Sequence, residues 1–110
     1  MSAQPDETPV LDLITAINAA AVEASSLPVD AQMIARIAAL VAIDAPPASY
    51  MMNLAVAGEV GITAQEVQGV FCAITPIVGT ARVVSAAGKI MRALGLAVGL
   101  AELEAEAEEG

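Results

Sequence analysis

Proline and glycine break this chain into short segments, and within each segment the apolar residues recur every three or four positions. In one segment Val67, Val70 and Phe71 have this spacing, which places side chains on one face of an α-helix. Strand signals, such as period-two alternation and Asn-Gly or Asp-Gly turns, are nearly absent. The pattern predicts an all-α protein, a compact bundle of about six helices.

Local signals set the expected helix boundaries. Ala45-Pro46-Pro47 must interrupt the chain, because proline disfavours the helical conformation in the residue before it. Thr63-Ala64-Gln65-Glu66 is a capping box, in which the Thr and Glu side chains satisfy amides at a helix start. We expect helices to begin near Thr8, Asp30, Pro47, Thr63, Thr80 and Leu96.

The apolar positions of each helix recur at helical spacing and so share one face. The first helix has such a face at Val10, Leu13, Ile14, Ile17 and Ala21. The second has Met33, Ile37, Leu40 and Val41, and the fourth has Val67, Val70, Phe71 and Ile74. In the fifth we expect an inward face at Val83, Val84, Ala87, Ile90, Met91 and Leu94.

The apolar content is unusually high for a chain of 110 residues. Hydrophobic residues make up 57% of it, 25 are alanine, and only one Tyr and one Phe are aromatic. Disorder is excluded for most of the chain, because disordered segments are poor in apolar residues. The longest uncharged run, Val67–Ala81, is too short for a membrane span. The excess therefore predicts subunit contacts and a homo-oligomer.

Charge and missing residue types exclude several functions. Thirteen acidic residues face four basic ones, for a net charge of -9, which argues against nucleic-acid or anionic-membrane partners. Without histidine there is no Ser-His-Asp triad, and a single Cys72 allows neither an intrachain disulfide nor a Cys/His zinc site. We therefore expect no metal and no cofactor. The first nine residues contain no basic side chain, so we expect no secretory signal and a cytoplasmic location.

The chain reads as a single domain with an acidic end. We assign residues 1–98 to the domain and residues 99–110 to an Ala/Glu tail that carries five of the 13 acids. Its glutamates define no helix face and oppose the helix dipole, so a frayed, solubilising end is expected.

Two helix faces outside the core stripes have more than one interpretation. Small and polar residues on the fourth helix predict close approach of another helix, either within the monomer or in a neighbouring subunit: Gln65, Gly69, Cys72 and Pro76. Cys72 is interpreted as a small buried hydrophobe rather than a nucleophile, because no base accompanies it. Arg82, Ser85, Lys89 and Arg92 form a stripe on the fifth helix. That stripe is either an anion site for a carboxylate or phosphate, or a solvated face paired with some of the many acids.

The middle of the chain, Leu27–Leu96, resembles the carboxymuconolactone decarboxylase and alkylhydroperoxidase D-like family. The matching pieces are the opening Leu27-Pro-Val-Asp30, the helix at residues 37–43 with its proline break, the Gly61-Ile-Thr-x-x-Glu turn, and the segment 76–90. The resemblance implies an alkylhydroperoxidase D-like helical fold over residues 27–96. It also implies assembly as trimers or hexamers.

The catalytic motif of that family is missing. Peroxidase members have Cys-x-x-Cys-x-x-x-His on one helix face, and the decarboxylase branch keeps the histidine. Counted back from Gly61, these positions fall on Pro46, Ser49 and Asn53, and a glutamate of the preceding helix falls near Met33 or Ile34. Neither the thiol peroxidase reaction nor the histidine-dependent decarboxylation can run as the family runs it.

Polar residues that remain at this place suggest an alternative site. Asp44, Ser49, Tyr50 and Asn53 could form a pocket for a small organic acid, with Asp44 as base and the other three as hydrogen-bond partners. The simpler interpretation is structural: Asp44 caps the third helix, Ser49 lies in its first turn and Asn53 satisfies a backbone group.

Three functions follow, in order of preference. The first is a family member without redox chemistry, acting as an oligomeric ligand-binding or structural protein. The second is an enzyme of altered chemistry, a decarboxylase or isomerase of a small acid held by Arg82. The third is a peroxidase that uses Cys72.

Overall fold

In the computed structural model of the protein, the backbone is described for residues 8–109 and the side chains for residues 8–94. That part of the chain is all-helical and contains no strand. Its five helices are α1 (Pro9–Ala24), α2 (Val29–Ala42), α3 (Pro47–Glu59), α4 (Ala64–Val78) and α5 (Thr80–Glu109). None of them, within the described residues, is long and apolar enough to cross a bilayer.

The prediction of a sixth helix from Leu96 is wrong, because α5 continues unbroken from Thr80 to Glu109. A single glycine such as Gly95 costs a helix only about 1 kcal/mol relative to alanine. The Ala, Leu, Met and Glu residues around it are strong helix formers and keep the helix intact. The backbone of the acidic tail is helical as well, and its side chains lie outside the described residues.

The core lies around α2, which packs against α3, α4 and α5. One buried cluster contains Val41, Ala45, Tyr50, Ala86 and Ala93. The other contains Met33, Ile37, Ala57 and Val70. The apolar faces predicted for α2 and α4 therefore lie in the core. Small alanines at the contact positions of α5 let that helix approach α2 and α3 closely.

The helix ends follow the local signals in the sequence. The capping box at the start of α4 is present: Glu66 N donates to Thr63 Oγ1 at 3.1 Å, and Thr63 N donates to Glu66 Oε1 at 3.1 Å. Thr8 lies at the N-cap position of α1, as predicted, and Pro9 lies in its first turn. Pro76 is inside α4, which ends at Gly79 with a φ of 88°.

Helices α2 and α3 end in the same backbone motif. After α2, Ala45 N donates to Leu40 O at 3.0 Å, and Asp44 N donates to Val41 O at 3.1 Å. This pair of bonds is a Schellman motif, which places its central residue in the left-handed region. Gly61 has a φ of 90° at that position after α3, whereas Asp44 has a φ of 55° after α2. A side chain at this position is uncommon, and Asp is among the few residues that tolerate it.

The inward face predicted for α5 is partly wrong. Ala86 and Ala93 are buried and Val83 and Ile90 are half-buried, but four of the six expected residues are exposed. These four are Val84, Ala87, Met91 and Leu94. Relative to the prediction, the helix is rotated so that Ala86 and Ala93 lie in the buried cluster, with Val83 and Ile90 packed against it. The small side chains of the two alanines permit close contact between helices there.

The second face of α4 is also exposed within one chain. Gln65, Gly69, Cys72 and Pro76 all lie on the surface, so the prediction of a buried Cys72 is wrong for the single chain. The physical reason is that α4 packs on α2 and α5 with its other face, and no further helix of the described chain covers this one.

Helix α1 turns its most apolar face away from the rest of the molecule. Its described residues include none that is buried. Val10, Leu13 and Ile17 are 67%, 60% and 57% exposed, whereas Asn18 and Val22, on the opposite side, are half-buried against the body. The predicted periodicity is confirmed, but within one chain the stripe has no partner.

Candidate functional site

Asp44 and the α5 stripe are neighbours in space. Asp44 Oδ1 accepts hydrogen bonds from Ser85 Oγ and Lys89 Nζ, both at 2.8 Å, and Lys89 Nζ also donates to the Asp44 backbone oxygen at 3.0 Å. The hydrogen bond from Lys89 and then that from Ser85 lower the pKa of the Asp44 carboxyl below its usual value. Asp44 does not cap α3, whose N-cap is Pro46 and has no side-chain cap. It ties the end of α2 to α5 instead.

Two of the three cations in this stripe bind groups at the C-terminal end of α2. Arg82 Nη1 donates to the backbone oxygen of Ala42 at 2.6 Å, and Lys89 forms an ion pair with Asp44. Positive charge is favourable at a helix C-terminus, where the carbonyl dipoles point outward. Arg92 is exposed. Two of the three predicted anion-binding residues are thus engaged with α2 itself.

Tyr50 is directed into the core rather than into an open pocket. Its side chain is fully buried, and its hydroxyl has no hydrogen-bond partner among the described residues. Burial raises the pKa of the Tyr50 phenol, and the negative charge of Asp44 adds to that effect. The phenol therefore stays neutral and contributes packing.

The Asn53 side chain binds the backbone of Ser49 along α3. Asn53 Nδ2 donates to the backbone oxygen of Ser49 at 2.8 Å, as the structural interpretation predicted, and Ser49 lies in the first turn of the helix. Asp44, Ser49, Tyr50 and Asn53 do not share a hydrogen-bond network in this structure. Of the three family motif positions, Asn53 lines a cavity that Pro46 and Ser49 do not line.

That cavity lies between α1, α2 and α3, has a volume of about 480 Å³, and is called here the α1–α3 cavity. Its wall contains both polar and apolar side chains. The polar side chains are Thr15, Asn18, Arg36 and Asn53, and the apolar ones include Val22, Met33, Met52 and Val56. A pocket of this size with a few polar groups on an apolar wall is typical of small-molecule sites.

Arg36 is the functional candidate that sequence reasoning missed. It is half-buried on α2, and its Nη1 donates to Asn18 Oδ1 at 3.2 Å. Its Nη2 donates to the Asn18 backbone oxygen at 3.5 Å. The sequence did contain a signal for this residue. Arg36 lies between Met33 and Ile37, beside the apolar face of α2, and it is the only basic residue outside α5.

A second cavity, of about 540 Å³, lies between α3, α4 and α5. Its wall is almost wholly apolar and includes Leu54, Ala57, Val67, Phe71 and Ile90. Cys72 lines neither cavity. Among the described residues, no group of His, Cys, Asp or Glu side chains could hold a metal ion.

Comparison with protein families, with curated proteins and with solved structures finds no match to this chain. The resemblance of residues 27–96 to the carboxymuconolactone decarboxylase family therefore stays a hypothesis. Two of the positions that it implies lie together in space. Met33, one of the two positions near which the family's glutamate would fall, and Asn53, where its histidine would fall, both line the α1–α3 cavity. Ile34, the other position for the glutamate, does not line it.

Proposed function

We propose that this chain is a homo-oligomeric small-molecule-binding protein without redox chemistry, and that the α1–α3 cavity is its ligand site. The cavity itself carries the proposal: about 480 Å³ of space, with a few polar groups on a wall that also contains apolar side chains. We further propose descent from the carboxymuconolactone decarboxylase-like proteins. Met33 and Asn53 would then mark a former catalytic site that has lost its chemistry and kept its space.

The absence of redox chemistry is supported by the residue types at the site. The chain has no histidine, and its only thiol is Cys72, which lies exposed on α4, outside the cavity. A peroxidase needs an activated thiolate and a means of resolving the oxidised sulfur. A cytoplasmic location suits the same proposal, because a reducing compartment keeps an exposed thiol free.

Homo-oligomerisation is supported by the apolar surface of the single chain. Val10, Leu13, Ile14 and Ile17 form one continuous exposed face on α1. Ile77 on α4, which is 87% exposed, and Val84 on α5, which is 72% exposed, are further apolar side chains on the surface. Large exposed apolar patches usually mark interfaces, and a second copy of the chain is the partner that we propose.

Filling the cavity tests the ligand site. We expect 1-hexanol to bind the wild type, as measured by saturation-transfer NMR and by shifts of backbone amide signals in α1–α3. A Val56→Trp variant should lose both signals, because Val56 lines the cavity. Val29→Trp is the matched control, since Val29 is 44% exposed and lines neither cavity. Absence of hexanol binding to the wild type, or equal binding to both variants, would overturn the proposed site.

A peroxide assay tests the absence of redox chemistry. We expect no turnover of hydrogen peroxide or of an alkyl hydroperoxide in the presence of a dithiol reductant. Turnover by the wild type that disappears in Cys72→Ser would contradict the proposal and establish Cys72 as a peroxidatic thiol.

A further inference from the structure

Arg36 is a half-buried cation whose partners are neutral. Both of its hydrogen bonds go to Asn18, one to the amide oxygen and one to the backbone oxygen. The chain has 13 acidic residues and only four basic ones. Even so, no carboxylate of the described residues pairs with Arg36. The one ion pair among those residues joins Lys89 and Asp44.

The two bonds to Asn18 leave the other N–H groups of the Arg36 guanidinium without a partner among the described residues, at the wall of the α1–α3 cavity. A guanidinium has five N–H donors in a rigid fork, which matches the two oxygens of a carboxylate. Burial of a cation is costly unless an anion compensates it. The Asn53 amide, which donates one N–H to Ser49, has a second N–H on the same cavity wall.

We propose that the α1–α3 cavity binds a small aliphatic monocarboxylate, with the carboxylate on Arg36 and the alkyl chain along Met33, Met52 and Val56. The proposal rests on the proposed function and specifies its ligand class. A monocarboxylate fits because the cavity offers one cation, whereas a phosphate dianion would leave a negative charge uncompensated. The apolar side of the wall fits an alkyl chain, which gains free energy when it leaves water.

The experiment compares hexanoate with 1-hexanol, which has the same chain and no charge, by calorimetric titration at pH 7. We expect hexanoate to bind the wild type at least tenfold more tightly than hexanol. Arg36→Gln should lose at least tenfold in hexanoate affinity and keep its affinity for hexanol. Arg82→Gln removes a cation of equal charge that binds the end of α2, and it should change neither affinity.

Asn18→Ala separates ligand binding from a structural role of Arg36. This variant removes the hydrogen bond from Arg36 to the Asn18 side chain and keeps the bond to the backbone oxygen of residue 18. The guanidinium itself is unchanged, so hexanoate should still bind better than hexanol. The comparison within the wild type needs no variant and so does not depend on the folding of Arg36→Gln. Equal affinities of the wild type for hexanoate and hexanol, or unchanged hexanoate binding by a folded Arg36→Gln, would overturn the carboxylate assignment alone. Failure of both probes to bind the wild type would overturn the proposed function as well.

Discussion

Asp44 occupies a backbone position for which glycine is the usual residue. Its φ of 55° lies in the left-handed region, and its carboxylate is bound by Ser85 and Lys89 of α5. The side chain thus adds a link between α2 and α5 that Gly61, at the matching position after α3, cannot supply. The local backbone motif is the same at both positions, and only the side chain differs.

The ion pair of Asp44 makes a contribution to stability that depends on pH. Its folded-state pKa is lowered by the Lys89 and Ser85 hydrogen bonds, so the folded state binds a proton less readily than the unfolded chain does. The contribution is therefore present above the unfolded pKa, near 3.8, and is lost as pH falls through the lower folded pKa. In urea unfolding between pH 7 and pH 3, Asp44→Asn should be less stable than the wild type at pH 7. The difference should shrink toward pH 3.

The exchange of Asp44 for glycine separates the backbone from the ion pair. Asp44→Gly removes the strain of a side chain in the left-handed conformation, but it also removes the ion pair with Lys89. Asp44→Ala removes the same ion pair and keeps the strain. We expect Asp44→Gly to unfold at a higher urea concentration than Asp44→Ala. The reverse order would show that this turn is not left-handed in solution.

Tyr50 shows the opposite situation, a polar atom that packing has left without a partner. Its hydroxyl is buried and unpaired among the described residues, and an unpaired buried hydroxyl costs about 1–3 kcal/mol. Tyr50→Phe should therefore leave the free energy of unfolding unchanged or raise it by about 1 kcal/mol. Tyr50→Ala should lower it by about 3–5 kcal/mol because of the cavity left behind. A loss of more than about 1 kcal/mol in Tyr50→Phe would show that the hydroxyl is hydrogen-bonded in solution.

At the scale of elements, the helix boundaries were the most predictable feature. Proline, glycine and capping residues act over three or four positions, so Ala45-Pro46-Pro47 and the Thr63–Glu66 box could be interpreted without tertiary information. Gly95 could not. One glycine costs a helix only about 1 kcal/mol relative to alanine, so its presence alone does not show whether the helix formers around it continue the helix.

The capping box of α4 provides a direct check. Thr63→Ala removes the acceptor for Glu66 N and should lower the free energy of unfolding by about 1 kcal/mol. Thr63→Ser keeps the hydroxyl and should stay close to the wild type in the same urea titration. Equal losses in both variants would assign the effect to the threonine methyl group rather than to the cap.

The direction in which a helix face points was predicted less well. Periodicity correctly groups Val10, Leu13 and Ile17 on one side of α1, but it cannot tell a face buried in the monomer from one that a second subunit covers. The candidate site was predicted only in part, because its contacts also depend on how the helices pack. Asp44 and Lys89 were both singled out, but their contact, and the place of Arg36 in a cavity, exist only because α5 and α1 fold back over α2.

The molecule as a whole should assemble through α1. We expect light scattering at tens of micromolar to give a mass above that of the monomer, with a trimer or hexamer implied by the resemblance. Leu13→Glu should lower that mass, because Leu13 lies in the exposed apolar face. Ala16→Glu adds the same charge on the flank of α1 and should not change it. A monomeric wild type would contradict the proposed assembly.

Helix α1 contributes to both proposals, because one side lines the cavity with Thr15 and Asn18 while the other side is the exposed apolar face. Its side-chain link to α2 is polar, through Arg36 and Asn18, and none of its described residues is buried. A ligand in the cavity would fix α1 against α2 and, with it, the exposed face through which we propose assembly. Thermodynamic linkage then makes the effect reciprocal: the factor by which ligand tightens association is the factor by which association tightens ligand binding.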